Sequence, residues 1–126
     1  MKLTRKKLRK LVLQEMAREK FPRNYEMLNY IKEYLIREFG NHPGVAKIII
    51  EYGNVYVLLS KRSERRRMQL IRIIYRRGTG VLDVLQLESV KDLFGRELHA
   101  VQLDIRDEAV FSKLRNYVHD ILEGLT

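Results

Sequence analysis

Residues 61–77 read KRSERRRMQLIRIIYRR, an arginine-rich stretch that continues without a break into a β-branched segment. The stretch contains eight basic residues and a single acidic one, Glu64. Apolar residues alternate with arginine in its second half, which predicts a loop leading into a strand with Arg72 and Arg76 on one face. Arginine clusters on rigid elements bind phosphate through their planar guanidinium groups. The stretch therefore favours a nucleic-acid partner, and the alternative is a solvated, charge-rich hairpin.

On both sides of this stretch, β-branched runs separated by turn residues predict a mostly antiparallel sheet. Gly53-Asn54 is a two-residue connection with glycine first, which favours a type II′ hairpin turn. Ser89 as a cap and Gly95 as a stop predict one helical turn before the last strand. The predicted strands are 45–52, 55–61, 70–76, 81–87 and 97–105.

Three segments have apolar residues at helical spacing. The first predicted helix spans residues 5–20, and Thr4 is its N-cap. It carries Leu8, Leu11, Val12 and Met16 on one face, and lysine and arginine occupy most of the rest of its surface. Asn24 caps a second helix, which runs to Phe39 and is ended by Gly40. Asp107 caps a third helix, which has a buried face formed by Val110, Leu114, Val118, Ile121 and Leu125.

The predicted fold class is α+β: two N-terminal helices, a mostly antiparallel sheet of four or five strands, and a C-terminal helix. At 126 residues the chain has the size of one domain, spanning 1–126. Within it the basic helix pair occupies 4–39, the sheet 45–105 and the closing helix 107–123. The predicted core is Leu8, Val12, Leu28, Ile31, Leu35, Ile48, Ile50, Val57, Ile71, Ile73, Val101, Leu103, Leu114 and Val118.

The composition excludes several classes of protein. The chain has no cysteine, so disulfides, cysteine-ligated zinc and thiol catalysis are ruled out and a cytoplasmic location is expected. No apolar run reaches the roughly 18 residues of a membrane span, and we expect no membrane partner. The fractions of apolar and charged residues, 45% and 33%, are typical of a folded protein, and high charge with few Asn and Gln is typical of thermophiles.

The net charge of +9 is unevenly distributed. Residues 1–23 contain nine basic and two acidic residues, and residues 61–77 contain eight and one. The rest of the chain is therefore mildly acidic. Two basic patches on an acidic body favour binding to a polyanion, DNA or RNA. The residues predicted to contact nucleic acid are Lys6, Arg9, Lys10, Lys61, Arg62, Arg65, Arg66, Arg67, Arg72, Arg76 and Arg77.

From the sequence we expect no bound metal and no cofactor. His42, His99 and His119 are scattered, and no phosphate-binding glycine motif is present. The order of elements, a helical pair before an arginine-rich meander, resembles the RelE-type ribonuclease toxins, which begin with a strand instead. That resemblance implies a metal-independent ribonuclease as an alternative, although no residue motif matches. The group to consider for it is Lys61, Arg65, Tyr75 and Arg76.

The opening residues 2–16, KLTRKKLRKLVLQEM, resemble the starts of many small phage, plasmid and archaeal-virus proteins. This similarity implies a mobile genetic element as the source and implies no activity. A third functional class is a structural or protein-interaction module with a solvated basic surface. Apolar residues on both faces of the second and third strands are consistent with a homodimer that buries them.

Overall fold

In the part of the chain that the structure describes, a five-stranded antiparallel sheet has two helices packed against one of its faces. The computed structural model describes residues 23–91 and 94–124. In chain order the elements are α1 (Asn24–Phe39), β1 (Val45–Glu51), β2 (Asn54–Leu59), β3 (Gln69–Arg76), β4 (Val81–Lys91), β5 (Phe94–Asp104) and α2 (Val110–Gly124).

The α+β class and the antiparallel sheet predicted from the sequence are confirmed, with five strands. The described residues contain two helices, α1 and α2, where the sequence predicts three. The additional predicted helix, at residues 5–20, lies outside the described residues. Neither described helix combines the length and the apolar character needed to cross a membrane.

The strands follow one another in the order β1-β2-β3-β4-β5, so each pairs with its sequence neighbour. The β1–β2 connection differs from the prediction by one residue. Glu51 pairs with Asn54, and the two turn residues are Tyr52 (φ 50°) and Gly53 (φ 73°). Positive φ at both positions indicates a type I′ geometry, which matches the right-handed twist of the strands. The predicted type II′ turn is therefore wrong.

The helical turn predicted after Ser89 is also wrong. β4 continues to Lys91 and β5 begins at Phe94, so the two strands form one long hairpin. Ser89 pairs with Gly95 across it, and a Cβ on Gly95 would lie 2.3 Å from the Glu88 carbonyl oxygen. Gly95 therefore permits close cross-strand approach, and it does not end a helix.

The hydrophobic core lies between the helices and the face of the sheet that they cover. Tyr34 connects α1 to α2, because its hydroxyl donates to the Phe111 carbonyl oxygen at 3.1 Å. Asp107 begins the turn before α2, where its side chain accepts from the Ala109 N–H at 2.9 Å. On α2 the buried positions are Val110, Phe111, Leu114, Val118 and Leu122; Ile121 is only partly buried, and Leu125 lies outside the described residues.

Most of the predicted core is confirmed. The buried members are Leu28, Ile31, Leu35, Ile48, Val57, Ile71, Ile73, Leu103, Leu114 and Val118. Ile50 and Val101 are partly buried against the same cluster, and Leu8 and Val12 lie outside the described residues. The predicted core omits Tyr34 and Tyr56, which are fully buried.

Both edge strands contain one extra residue relative to their neighbour. In β5, Glu97 pairs with Leu87 and His99 with Gln86, so Leu98 is the additional residue of a β-bulge. In β1 a similar irregularity falls between Val45 and Lys47.

Candidate nucleic-acid interface

The arginine-rich loop joins β2 to β3 at one end of the sheet and is closed by its own hydrogen bonds. The Ser63 N–H donates to the Arg67 carbonyl oxygen, and the Arg66 N–H donates to the Ser63 carbonyl oxygen, both at 2.8 Å. The Ser63 hydroxyl accepts from the Arg67 N–H at 3.2 Å. Arg66 adopts a positive φ of 60°, which is uncommon for a residue with a side chain. These contacts hold the loop in one defined turn.

The arginines of this loop point into solvent. Arg62, Arg65, Arg66 and Arg67 are all exposed, as is Lys61. Arg67 approaches an acid, because its Nε lies 4.0 Å from Oε1 of the buried Glu88 on β4. Arg62 donates to the Arg66 carbonyl oxygen at 3.3 Å, which restrains the guanidinium without neutralising it. Within the described residues, Arg62, Arg65 and Arg66 have no acidic partner.

Arg72 lies in the middle of β3, on the face of the sheet opposite α1 and α2. It is half-buried beside Tyr56 of β2 and Leu85 of β4. With the Asn54 amide oriented to satisfy its hydrogen bonds, the amide oxygen accepts from Arg72 at 3.1 Å. Arg72 and Arg76 do share this face, as the alternation predicts. No acidic side chain in the described ranges pairs with Arg72.

Arg76 and Arg77 are at the other end of β3. The eight residues of that strand separate them from the loop by about 24 Å. Arg76 donates through Nε to the carboxylate of Asp83 on β4, and Asp83 is only 7% exposed. Arg77 is exposed in the turn that follows. The predicted site is therefore divided into a loop group and a distant pair.

Three of the predicted contact residues, Lys6, Arg9 and Lys10, lie outside the described residues. The remaining positions are all on or next to β3, so the strand positions the whole described part of the site. Lys61 and the loop arginines share one end of the sheet.

The residues of the ribonuclease hypothesis are not brought together. Lys61 and Arg65 lie at the loop end of β3, and Tyr75 and Arg76 lie at the opposite end. Tyr75 also faces the core rather than solvent, and burial raises its pKa to about 12. A phenol with that pKa is a poor proton donor or acceptor near neutral pH.

A cleft that the sequence did not reveal lies between the β4–β5 hairpin and α2. It has a volume of about 340 Å³ and is lined by Gln86, His99, Tyr117 and Asp120, among others. The His99 and Tyr117 rings stack, and His99 Nδ1 lies 2.8 Å from the Tyr117 hydroxyl. Burial, reinforced by the nearby carboxylate of Glu97, raises the pKa of Tyr117. The carboxylates make this cleft an unfavourable place for phosphate.

The histidines have local partners. His42 accepts from the Gly44 N–H at 2.9 Å, and His119 lies between Asp120 and Glu123 on α2. Within residues 23–91 and 94–124, no group of three His, Cys, Asp or Glu side chains is placed to hold a metal ion.

Comparisons with known proteins add no family to this geometry. No protein-family model, no curated protein and no solved structure matches the chain. The functional assignment therefore depends on the arginine loop and its surroundings.

Proposed function

We propose that this protein binds nucleic acid, DNA or RNA, through phosphate contacts made by the β2–β3 loop. The observation that carries the proposal is the exposure of Arg62, Arg65 and Arg66 without an acidic partner among the described residues. Even a surface arginine that is paired with an acid stabilises the fold by only about 0–1 kcal/mol. A cluster of arginines without acidic partners does not gain even this stabilisation. Guanidinium groups can donate two parallel hydrogen bonds to phosphate oxygens, so phosphate is the ligand that we expect.

The closed backbone of the loop supports the same proposal. A turn held by Ser63 and Arg67 loses less conformational entropy when its side chains contact a ligand, because its backbone is already ordered. Phosphate contacts position a protein on a nucleic acid without reading its sequence. We therefore propose binding of low sequence specificity. Arg72 is the candidate for an additional contact on the same strand, whereas Arg76 is engaged by Asp83 and serves the fold.

The test is titration of labelled duplex DNA and single-stranded RNA by fluorescence anisotropy at increasing salt. In the variant Arg62→Ser/Arg65→Ser/Arg66→Ser, affinity should fall. On duplex DNA the slope of log K against log salt should decrease by up to about 0.9 for each phosphate that the variant no longer binds.

The matched control changes three basic residues that already have acidic partners. Arg106, Lys113 and Arg115 pair with Asp104, Asp107 and Glu38 respectively. Serine at these three positions removes the same total charge and should leave the salt slope near that of the parent. An equal fall in affinity in both triple variants would show a general effect of net charge. Failure of the parent to bind either nucleic acid at low salt would show that the proposal is wrong.

A further inference from the structure

The cleft between the β4–β5 hairpin and α2, here called the α2 cleft, has the size of a small-molecule site. Its volume of about 340 Å³ falls within the range of ligand pockets, roughly 300–1,000 Å³. Gln86 and His99 line it from the sheet, and Tyr117, Asp120 and Ile121 line it from α2. The side chain of Asp120 is 83% exposed, so a ligand can reach the cleft from solvent. Sheet and helix therefore contribute aromatic, amide and carboxylate groups to one concave surface.

Two aromatic rings form one wall of the α2 cleft. The rings of His99 and Tyr117 stack with their centroids 5.6 Å apart and an angle of 22° between their planes. The contact between His99 Nδ1 and the Tyr117 hydroxyl, at 2.8 Å, holds the two rings in this orientation. His99 is exposed and Tyr117 is half-buried, so part of the ring surface stays open to a ligand. Aromatic faces attract cations, and a planar guanidinium group can lie flat on such a face.

The charges around the α2 cleft favour a cation. Asp120 contributes a carboxylate to the lining. Burial, and then the carboxylate of Glu97, raise the pKa of Tyr117, so a second carboxylate lies close to the aromatic wall. None of the described residues that line the cleft is a lysine or an arginine, although the chain has 25 of them and a net charge of +9. The cleft is therefore an acidic concavity on a basic protein.

The end of α2 adds to this negative potential. Gly124 is the last residue of α2 and lies in the lining of the cleft. The last carbonyl groups of an α-helix have no partner within the helix and form the negative end of its dipole. Lysine and arginine are favourable at this end of a helix, yet the last turn of α2 contains neither, and Asp120 precedes it with a negative charge that opposes the dipole. A cation bound in the cleft would offset this repulsion.

We propose that the α2 cleft binds a guanidinium group, which stacks on the Tyr117 ring and donates hydrogen bonds to the Asp120 carboxylate. A guanidinium ion suits the cleft better than a primary ammonium ion, because it is flat and can stack on a ring while it donates two parallel hydrogen bonds to a carboxylate. The Gln86 amide oxygen is a further acceptor. The group belongs to a free guanidine compound or to an arginine side chain of a peptide. The proposal does not depend on nucleic-acid binding, and its test uses no nucleic acid.

The test is titration of the isotope-labelled full chain, followed by heteronuclear NMR, in which the backbone signals of His99 and Gly124 report on the cleft. The probes are agmatine, a free guanidine compound, and N-acetyl-arginine amide, which represents an arginine in a peptide. N-acetyl-citrulline amide is the control, because its urea group has a similar shape and no charge. We expect saturable shifts of both signals with the guanidinium probes and none with the citrulline compound. Binding of agmatine alone would support a free compound as the ligand, and binding of N-acetyl-arginine amide would support a peptide arginine.

The variant Asp120→Asn separates a binding role from a structural one. It should weaken binding by about two- to fivefold, which is the effect of losing one exposed ion pair. Without a probe, its thermal midpoint should be at least as high as that of the parent, because the carboxylate no longer opposes the helix dipole. A residue that only supported the fold would lower the midpoint when replaced. Glu108→Gln is the matched control, since it removes the same charge from an exposed position before the start of α2 and should leave binding unchanged.

Two substitutions of Tyr117 test the aromatic wall. Tyr117→Phe keeps the ring and should keep most of the affinity, whereas Tyr117→Leu removes it and should weaken binding by about two- to fivefold. Absence of binding by both guanidinium probes would overturn the proposal. Equal binding of the arginine and citrulline compounds would also overturn it, and so would parent-like binding by Asp120→Asn.

Discussion

Arg76 and Arg77 are neighbours in the sequence but have different environments. Arg76 pairs with the carboxylate of Asp83, which is 7% exposed, whereas Arg77 extends into solvent from the turn. Replacing Arg76 with Ala should lower the free energy of unfolding by about 1–3 kcal/mol, because Asp83 keeps its burial and loses its partner. Arg77→Ala should change stability by less than about 0.5 kcal/mol. Denaturant unfolding of both variants measures these losses. Equal free energies of unfolding for the two variants would mean that Asp83 is well solvated.

Tyr75 provides a pH-dependent test of the same end of the strand. Burial raises its pKa from 10 to about 12, although the positive charge of Arg77 lowers it slightly. The folded state therefore favours the protonated phenol more than the unfolded state does. The corresponding stabilisation is complete below pH 10 and is lost as the pH rises from 10 to about 12.

We expect ultraviolet absorbance of the phenolate to show one tyrosine titrating near pH 12, and that step should disappear in Tyr75→Phe. If the titration of the parent protein has no step near pH 12, Tyr75 is in contact with water.

Ile73 and Ile74 test the assignment of the two faces of β3. Ile73 is 0% exposed and faces the helices, whereas Ile74 is half-buried on the opposite face. Ile73→Ala should cost about 2–5 kcal/mol, because it removes methyl and methylene groups from a closely packed core. Ile74→Ala should cost clearly less, since part of its surface already contacts water. An unchanged unfolding midpoint for Ile73→Ala, with a lowered one for Ile74→Ala, would mean that the two faces are assigned the wrong way round.

The β1–β2 turn depends on a glycine at its second position. Gly53 has a φ of 73°, a left-handed conformation that costs other residues about 1–2 kcal/mol. Gly53→Ala should therefore lower the free energy of unfolding by that amount, although a Cβ there meets no atom within 4 Å. Gly78→Ala is the matched control, because it also has open space and no positive φ. A similar decrease in the free energy of unfolding in both variants would show that the positive φ of Gly53 is not the cause.

The elements with strong local signals could be predicted from the sequence, and those decided by distant partners could not. The end of α1 at Phe39 matches its prediction because apolar spacing and Gly40 act locally, whereas the N-cap is Arg23 and the predicted cap, Asn24, is the first residue of the helix. The Ser89 and Gly95 signals predict a helical turn, yet pairing of the β4–β5 ladder determines their conformation. A cap signal contributes about 1 kcal/mol, and a ladder of paired residues outweighs it.

At the scale of the whole molecule, the charge pattern could be predicted only in part. Three consecutive arginines cannot all turn inward, so at least two of Arg65, Arg66 and Arg67 must face solvent or pair with acids; in the structure all three are exposed. Their partners could not be predicted. Glu88 and Asp83 come from β4, and the register that brings Asp83 opposite Ile74 and beside Arg76 is a property of the folded sheet. The sequence placed the basic residues of 61–77 in one patch, and the structure divides most of them between the two ends of β3.

The extra residues in β1 and β5 have a consequence for how the protein behaves at high concentration. A straight edge strand offers unpaired N–H and C=O groups to a neighbouring molecule, and a bulge interrupts their regular spacing. Deleting Leu98 would remove the irregularity between Gln86 and Leu87, leaving the one between Ser89 and Lys91, and would move no other side chain of β5 to the other face. We expect that variant to self-associate at lower concentration than the parent in sedimentation velocity, whereas Leu98→Ala, which keeps the bulge, should not. If the deletion variant self-associates no more than the parent, the bulge does not protect this edge.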